Sequence, residues 1–424
     1  MIASPDEAAY RMGYITAEQL HVLAEPMTSS YGDCLRRMPD ERQLPTSSSL
    51  ERGERAMATD GGSPQYLQKK VPADPSNRPF VSVVMPVRNE AAFIGSSFGA
   101  VLSQDYPRNR MEVLIADGMS TDATREVIEN LKRHHPDSSV EVLDNRSRVV
   151  AAGMNAALAH ARGEVIIRVD GHTVIAQDYV RECVATLQRW DADNVGGRMQ
   201  AVSEGVFGLA VAVATSSRFG VGGARFHYSD SEEWVDTVYL GAWPRDVFQR
   251  IGFFDEEMVR NQDDEFNYRL RANGGKILLS PRIKSHYYNR TTLLSLWCQY
   301  FQYGYWKVRV MQKHPGQMQL RQFVPPLFVT VLIISLLMTP LFSLSEFIFG
   351  LAVASYLVGN IGASLLEARR TNGQSFTLLP VAFATLHLSY GLGFLVGLAR
   401  FWNRWGNKKN RLGHFHAQKQ AEEL

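Results

Sequence analysis

For a chain of 424 residues, three cysteines are few. Cys34, Cys183 and Cys298 lie far apart, and their odd count and open spacing exclude a disulfide framework and a cysteine-built metal site, so a reducing compartment is expected. Charge of one sign is lacking too. A formal net charge of +2 leaves no whole-protein basic field, and no nucleic-acid partner is expected. The opening MIASPDEAAYRMGYITAEQL carries Asp6 and Glu7 and has no apolar core, so no secretory signal is expected there. Sustained apolar runs are scarce before residue 323 and frequent after it. The ordinary averages, 45% hydrophobic and 21% charged, therefore hide a soluble part and a membrane part, with room for two or three domains.

Residues 1–78 read as a helical extension, with Thr16 a candidate cap, followed from about Pro39 by a linker rich in Ser, Gly, Pro and charge that is expected to be disordered. From Phe80 the pattern alternates. FVSVVMPV precedes a helix from about Glu90 to Leu102, EVLIAD one from about Asp122 to Arg133, VEVLD one from about Val149 to Ala161, and EVIIRVD closes the series. Short apolar strands separated by such helices predict an α/β fold with a Rossmann-like, mostly parallel sheet, over residues 79–310. In such sheets ligands bind beyond the carboxyl ends of the strands. Those ends carry Arg88, Asn89 and Glu90, then Asp117, then Asp170 and His172.

Residues 311–424 read as a membrane domain. Phe323–Phe342 and Leu344–Leu366 carry almost no charge and, at ~1.5 Å per residue, are long enough for a ~30 Å hydrocarbon core. Leu378–Leu398 is a weaker third span, interrupted by Pro380, His387 and several glycines. The bias of basic residues to the cytoplasmic side puts Lys307, Arg309, Lys313 and Arg321 inside before the first span, and Arg369 and Arg370 inside after the second. A third crossing would carry Arg400, Arg404, Lys408, Lys409 and Arg411 outside, away from the anionic lipid they suit. The last segment is therefore expected to be re-entrant or interfacial.

VIIRVDGH, residues 165–172, drives an apolar strand into an acid and an imidazole. A Mg2+ or Mn2+ ion is commonly held by one or two protein groups plus substrate phosphates, and Asp170 with His172 two residues on suits that use, the imidazole favouring Mn2+. An Asp at a strand end also commonly serves as a turn residue.

VSVVMPVRNEAAFI, IADGMSTDATREVI, NRSRVVAAGMNAAL, GEVIIRVDGHT and NQDDEFNYRLRANGG stand in the order and spacing of family 2 glycosyltransferases with the GT-A fold, across residues 80–290. QYFQYGYWKVRV followed by apolar spans resembles the succinoglycan-biosynthesis glucosyltransferase branch. The resemblance implies that Pro86, Arg88 and Glu90 frame the nucleotide, that Asp117 contacts its base or ribose, and that Arg148 and Asn155 lie on the nucleotide side. Many relatives carry two adjacent acids where this chain has Asp117-Gly118. Asp170-Gly171-His172 falls on the D-x-D position. His286 is a further candidate metal ligand, although a lone histidine near a strand end more commonly has a structural role. Gln262, Asp263, Glu265, Phe266 and Arg269 fall on the E-D-x-D-L-x-x-R pattern, which makes Asp263 the base for the acceptor hydroxyl, with Asp264 the alternative because Gln262 replaces the first acid. An acidic first turn favoured by the helix dipole would look the same.

On the acceptor side the resemblance places Glu265, Arg269, Gln302 and Trp306, with Arg290 and Lys307 available to a lipid diphosphate. Gln302-Tyr303-Gly304-Tyr305-Trp306 resembles the Q-x-x-R-W motif of processive synthases with Tyr305 in place of Arg, which argues against long polymerisation. An aromatic just before a span also anchors at the membrane interface. GYITAEQL through SYGDCLRRM resembles the C-terminal tail of glucose-1-phosphate thymidylyltransferases, without their catalytic core. The implied activity is inverting, metal-dependent (Mn2+ or Mg2+) transfer of a hexose from a nucleotide-diphosphate sugar, a UDP-sugar foremost, to a lipid-linked glycan. Its setting would be bacterial exopolysaccharide or surface-polysaccharide synthesis at the inner membrane, with a multi-pass anchor and the catalytic domain cytoplasmic. The rival readings are a polyprenyl-phosphate glycosyltransferase and a non-enzymatic membrane component.

Overall fold

The computed structural model describes residues 78–202, 205–289, 292–371 and 377–406. The N-terminal extension with its thymidylyltransferase-like stretch, Arg290, and the basic tail from Lys408 lie outside the described residues. Strands β1 (Val81–Val87), β2 (Met111–Asp117), β3 (Ser139–Asp144) and β4 (Val165–Arg168) run parallel in the order β3-β2-β1-β4, joined by helices α1 (Ile94–Leu102), α2 (Thr124–His134) and α3 (Val150–His160). Every residue of β1 and β2 is buried, as expected of strands covered on both faces. Within β1, alternation sends Val81, Val83, Met85 and Val87 into one core and Val84 into the other.

Beyond β4 the chain adds β5 (Thr173–Ile175), α4 (Tyr179–Trp190), β6 (Asn194–Val202), α5 (Gly205–Thr215), the short α6 (Arg218–Val221), β7 (Glu233–Trp234), β8 (Tyr239–Pro244), α7 (Asp246–Ile251), α8 (Gln262–Ala272) and β9 (Ile277–Tyr288). β8 pairs antiparallel with both β4 and β6, β9 runs parallel to β6, and β5 and β7 add antiparallel edges. The sheet is mixed, with a parallel half and a second half whose strands sequence periodicity did not resolve. An aromatic cluster of Trp243, Phe248, Phe254 and Phe266 packs α7 and α8 onto it, with Phe254 and Phe266 stacked at 4.4 Å.

Four long helices follow: α9 (Leu293–Lys313), α10 (Val324–Met338), α11 (Ser343–Arg370) and α12 (Leu379–Arg400). Among the described residues, Leu320–Met338, Ser343–Arg370 and Leu379–Arg400 are long and apolar enough to cross a membrane. They are not alike. α10 and α11 leave most of their apolar side chains exposed, whereas half of the most apolar stretch of α12 is buried.

α12 runs beside α9 in the same direction. A Cβ added at Gly393 would lie 2.0 Å from the Phe301 carbonyl oxygen, one at Gly397 2.6 Å from that of Tyr305, and one at Gly304 2.0 Å from that of Tyr390. Glycines four residues apart let the two backbones touch. Both ends of α12 reach the α/β part. Its first turns pack on Ala210 and Ala214 of α5, and the residues after it, Phe401 and Arg404, meet Trp306 and Glu257.

The far end of this contact is ionic. Glu257 accepts from Arg309 Nε at 3.0 Å and Nη2 at 3.1 Å, from Arg404 Nη1 at 3.1 Å and from Lys313 Nζ at 2.8 Å, while Lys313 also pairs with the fully buried Asp255. Burial alone would raise the Glu257 carboxyl; hydrogen bonds from Arg309 and Lys313 outweigh it and hold the group down at about 2. Folding therefore gains stability from Glu257 above its ordinary value of about 4.5, and that gain is lost as pH falls toward about 2. Glu257→Gln is expected to cost ~3–5 kcal/mol at neutral pH, because the buried Arg309 and Lys313 lose their shared anion. The cost should shrink as pH drops through that window, read by denaturant titration in detergent; a pH-independent difference would contradict it.

Candidate active site

A cavity of about 1400 Å³ opens beyond the carboxyl ends of β1 and β4 and extends to side chains of α10, α11 and α12. Its strand-end wall includes Pro86, Arg88, Glu90, Gly118, Asn145 and Arg148. Asn89 takes the left-handed conformation at φ 53°, and its Oδ1 accepts from the Thr121 N–H at 2.8 Å while its own N–H donates to Ser120 Oγ at 2.9 Å. An Asn tolerates that backbone, and these bonds tie the loop after β1 to the loop after β2.

Asp170 stands two residues past β4 and is met by an arginine from the strand itself. Arg168 Nε lies 2.7 Å from Asp170 Oδ1 and Nη2 3.0 Å from Oδ2, a bidentate pair with little exposure on either side. Gly171 permits the next contact, since a Cβ there would sit 2.9 Å from Glu90 Cγ. That approach lets Glu90 Oε1 meet His172 Nδ1 at 2.9 Å, while Tyr287 of β9 holds the imidazole edge-on at 5.3 Å.

The opposite wall is the start of α8. Asn261 takes φ 61° ahead of the helix and donates from Nδ2 to the Tyr303 carbonyl of α9 at 3.0 Å, so the first turn faces the cavity. Asp263 and Asp264 both line it, but with different company. The Asp264 carboxylate is ion-paired with Lys307. Asp263 accepts only the Asp264 backbone N–H, at 2.9 Å, among the described hydrogen bonds. Burial raises its carboxyl above the usual range; Arg168 opposes the rise, and the neighbouring charge of Asp264 adds to it.

The structure thus brings Pro86, Arg88, Glu90, Arg148, Asp170, His172, Asp263, Asp264, Gln302 and Lys307 to one cavity. Other residues picked out by the sequence lie elsewhere. Asp117 is fully buried beneath the wall, its carboxylate held by Arg125 and by the backbone N–H of Ser120, and its neighbour Gly118 reaches the cavity instead. Asn155 joins α3 to the chain before α8, exchanging hydrogen bonds with the Phe254 backbone at 2.9 Å in both directions. Glu265 and Arg269 pair across one turn on the buried face of α8, where Arg269 also donates to the carbonyls of Ile251 and Phe253. His286 lies next to the cavity-lining Tyr287, and alternation along β9 directs the two to opposite faces. Trp306 packs against Tyr305 and Phe401 at the end of α12.

The residue that sequence reasoning passed over is Arg168. Its signal was present: a cation inside VIIRV has no place in an apolar strand unless an anion waits at the strand's end. Among the described residues, no group of three or more His, Cys, Asp and Glu side chains is arranged to hold a metal ion; Asp170 and His172 stand as a pair.

The sheet order, the cavity at the strand ends and the carboxylate-bearing far wall define a GT-A-type glycosyltransferase. The model of the family described as Glycosyl transferase family 2 matches residues 82–234. Succinoglycan biosynthesis protein ExoA of Rhizobium meliloti (strain 1021) is 30% identical over 324 residues, covering 76% of this chain and 96% of that protein. A dolichyl N-acetyl-alpha-D-glucosaminyl phosphate 3-beta-D-2,3-diacetamido-2,3-dideoxy-beta-D-glucuronosyltransferase of Methanococcus voltae is 27% identical over 327 residues, 76% of this chain and 98% of that one. The chain belongs to glycosyltransferase family 2. In fold it is similar to a mannosyltransferase from Pyrobaculum calidifontis, solved in complex with GDP-Man and Mn2+, at TM-score 0.50 and 20% identity over 78% of this chain and 90% of that one.

Arg168→Met should destabilise the protein by ~3–5 kcal/mol at neutral pH, because it strands partly buried carboxylates. The loss should narrow as acid protonates Asp263. Arg168→Lys, which keeps the charge without the planar fork, should fall between. Equal stability of all three proteins in denaturant titrations would refute the pairing.

Proposed function

We propose that the chain is an inverting, metal-dependent hexosyltransferase taking its sugar from a nucleotide diphosphate, a UDP-sugar foremost, and passing it to a lipid-linked glycan in bacterial exopolysaccharide or surface-polysaccharide assembly. Residues 79–310 form the catalytic domain in this reading and 311–424 the membrane domain. One observation carries it: a single cavity joins the strand-end arginines, the carboxylates of α8 and the side chains of the apolar helices.

On the donor side Arg88 and Arg148 line the cavity with no carboxylate partner among the described residues, which suits a diphosphate. A divalent ion fits the neighbouring pair. An ionised carboxylate offers about four lone-pair sites, of which Arg168 occupies two, so Asp170 keeps acceptor capacity. With Nδ1–H given to Glu90, His172 presents Nε2 as a ligand, the arrangement in which a second carboxylate orients a metal-binding imidazole. Asp170 and His172 would hold Mn2+ or Mg2+, and the bound ion would neutralise charge on the leaving diphosphate.

Asp263 is the base in this reading. Its raised proton affinity suits removal of a hydroxyl proton near neutral pH, while the Lys307 ion pair commits Asp264. A hydroxyl deprotonated by Asp263 attacks the anomeric carbon, the bond to the diphosphate breaks, and a single displacement inverts the centre. Purified protein given UDP-, GDP- and dTDP-sugars, Mn2+ or Mg2+ and lipid-linked acceptors tests this by product mass. A single-sugar polyprenyl phosphate would favour the bare-lipid reading, and absence of any transfer a non-enzymatic one. Asp263→Asn should lower kcat by ~10²–10⁴, with Asp264→Asn less damaging. Because the base must be ionised, activity should fall with falling pH through a limb above the ordinary Asp value of ~3.9; a limb at that value would argue against Asp263.

The same reading places the catalytic domain on the cytoplasmic side of the inner membrane. α10 and α11 would cross out and back. α12, docked on α9 with both ends against the α/β part, would lie in the interface and keep the basic tail inside. In spheroplasts, Leu341→Cys at the turn between α10 and α11 should react with an impermeant maleimide above the parent background, and Trp405→Cys only after permeabilisation. Labelling of Trp405→Cys in sealed cells would overturn that topology.

A further inference from the structure

Past Asp263 the cavity changes character. Its membrane-side walls carry Phe328 of α10, Tyr356 of α11, and Leu386 and Tyr390 of α12, with Phe328 and Tyr356 stacked at 4.7 Å. The same cavity is lined by two guanidinium groups with no carboxylate partner among the described residues. Arg260 gives only Nε, to Gln302 Oε1 at 2.9 Å. Arg218 lies over the Tyr228 ring at 5.3 Å.

The short helix α6 that carries Arg218 is fastened from the membrane side. His387 of α12 approaches the Phe219 carbonyl with Nε2 at 2.9 Å and the Tyr356 hydroxyl with Nδ1 at 3.0 Å. Phe219 packs edge-on against Phe383 at 4.9 Å. Asn360 of α11 adds a bond to the Pro380 carbonyl at 3.0 Å. A polar network inside otherwise apolar helices needs a reason, and here it fixes α6, with its cation, against α11 and α12, whose side chains line the same cavity.

Uncompensated cations together with aromatic and aliphatic walls in one cavity match an amphiphile with an anionic head. We propose that this half of the cavity is the seat of a lipid phosphate: Arg218 and Arg260 hold the phosphate, the chain lies among Phe328, Tyr356, Leu386 and Tyr390, and the attached glycan extends toward Asp263. The assignment rests on the reading of the protein as a transferase acting on a lipid-linked acceptor, and gives that acceptor a charged anchor and an apolar track. His387 is a positioning residue that holds the short helix bearing Arg218.

The test measures binding, without the donor, of a long-chain polyprenyl phosphate and of the corresponding polyprenol to the full-length protein in detergent, by quenching of tryptophan fluorescence. Arg218→Gln and Arg260→Gln should each weaken the phosphate roughly 10–100-fold and leave polyprenol binding within about twofold. Leu386→Trp, which narrows the track, should weaken both lipids alike. His387→Ala should reproduce the loss seen for Arg218→Gln, and His387→Gln, which can still donate to the Phe219 carbonyl, should recover part of it. UDP-sugar affinity and melting temperature of each variant report whether the donor half and the fold are intact. Undiminished phosphate affinity in both arginine variants, or equal loss of phosphate and polyprenol, would overturn the assignment while lipid-dependent transfer by the parent protein still stood. A parent protein that glycosylates only water-soluble acceptors would sink the underlying reading instead.

Discussion

Arg168 is a fixed positive charge at the tip of a buried strand, flanked by Ile166, Ile167 and Val169, none of which has any exposed surface. A guanidinium cannot shed its proton there, so the fold must bring anions to it. One comes from two residues onward, in Asp170. The other electrostatic partner, Asp263, comes from the far wall, nearly a hundred residues later. This requirement brings the end of β4 and the start of α8 to one place. It couples the residue that would face a donor's diphosphate to the residue that would face an acceptor's hydroxyl, and the remaining side chains of the cavity are arranged around that coupling.

α9 ties the second wall to the membrane helices. Along one segment before and into α8, successive side chains find partners on it: Glu257 with Arg309, Arg260 with Gln302, Asn261 with the Tyr303 carbonyl, Asp264 with Lys307. On its other side α9 lies backbone to backbone with α12 through Gly304, Gly393 and Gly397. Close packing of this kind transmits position with little give. The geometry of the α8 carboxylates is therefore set by helices whose remaining surface is apolar.

The parallel half of the sheet was legible because its strands are continuous apolar runs separated by helices of ordinary length. Five of the six helix starts and ends in this half fell within two residues of expectation; α1 begins later, at Ile94, because the chain from Asn89 is used in cross-loop hydrogen bonds. The second, mixed half was not legible, since β5 and β7 are too short to carry a period and the pairing of β8 with β4 depends on contacts far apart in sequence. At the site, order along the chain located Asp170, His172 and the two α8 acids, but it could not tell which side chains of a motif face inward. Glu265 and Arg269 sit in the same helix as Asp263 and point into the core. Asp117 lies at the same strand end as Gly118 and is enclosed by Arg125 and Ser120. The glycines that weakened α12 as a third span have a physical use as its contact with α9, invisible until the partner helix is in place.

The two adjacent acids of α8 show how the membrane side can shape chemistry without touching a substrate. Both stand in the first turn, where the helix dipole favours their charge equally. What separates them is the cation each receives: Lys307 of α9 is given to Asp264 alone, whereas the charge of Arg168 is already engaged bidentately by Asp170 before it acts on Asp263. Asp263 is left with incomplete compensation and a raised proton affinity, whereas the Asp264 carboxylate is held by its lysine. A helix start with two acids is common and would not by itself distinguish a proton acceptor from a capping charge. In the reading of Asp263 as the base, the distinction arises because α9, held in place by α12 and by the Glu257 ion cluster, delivers one lysine to one of the pair.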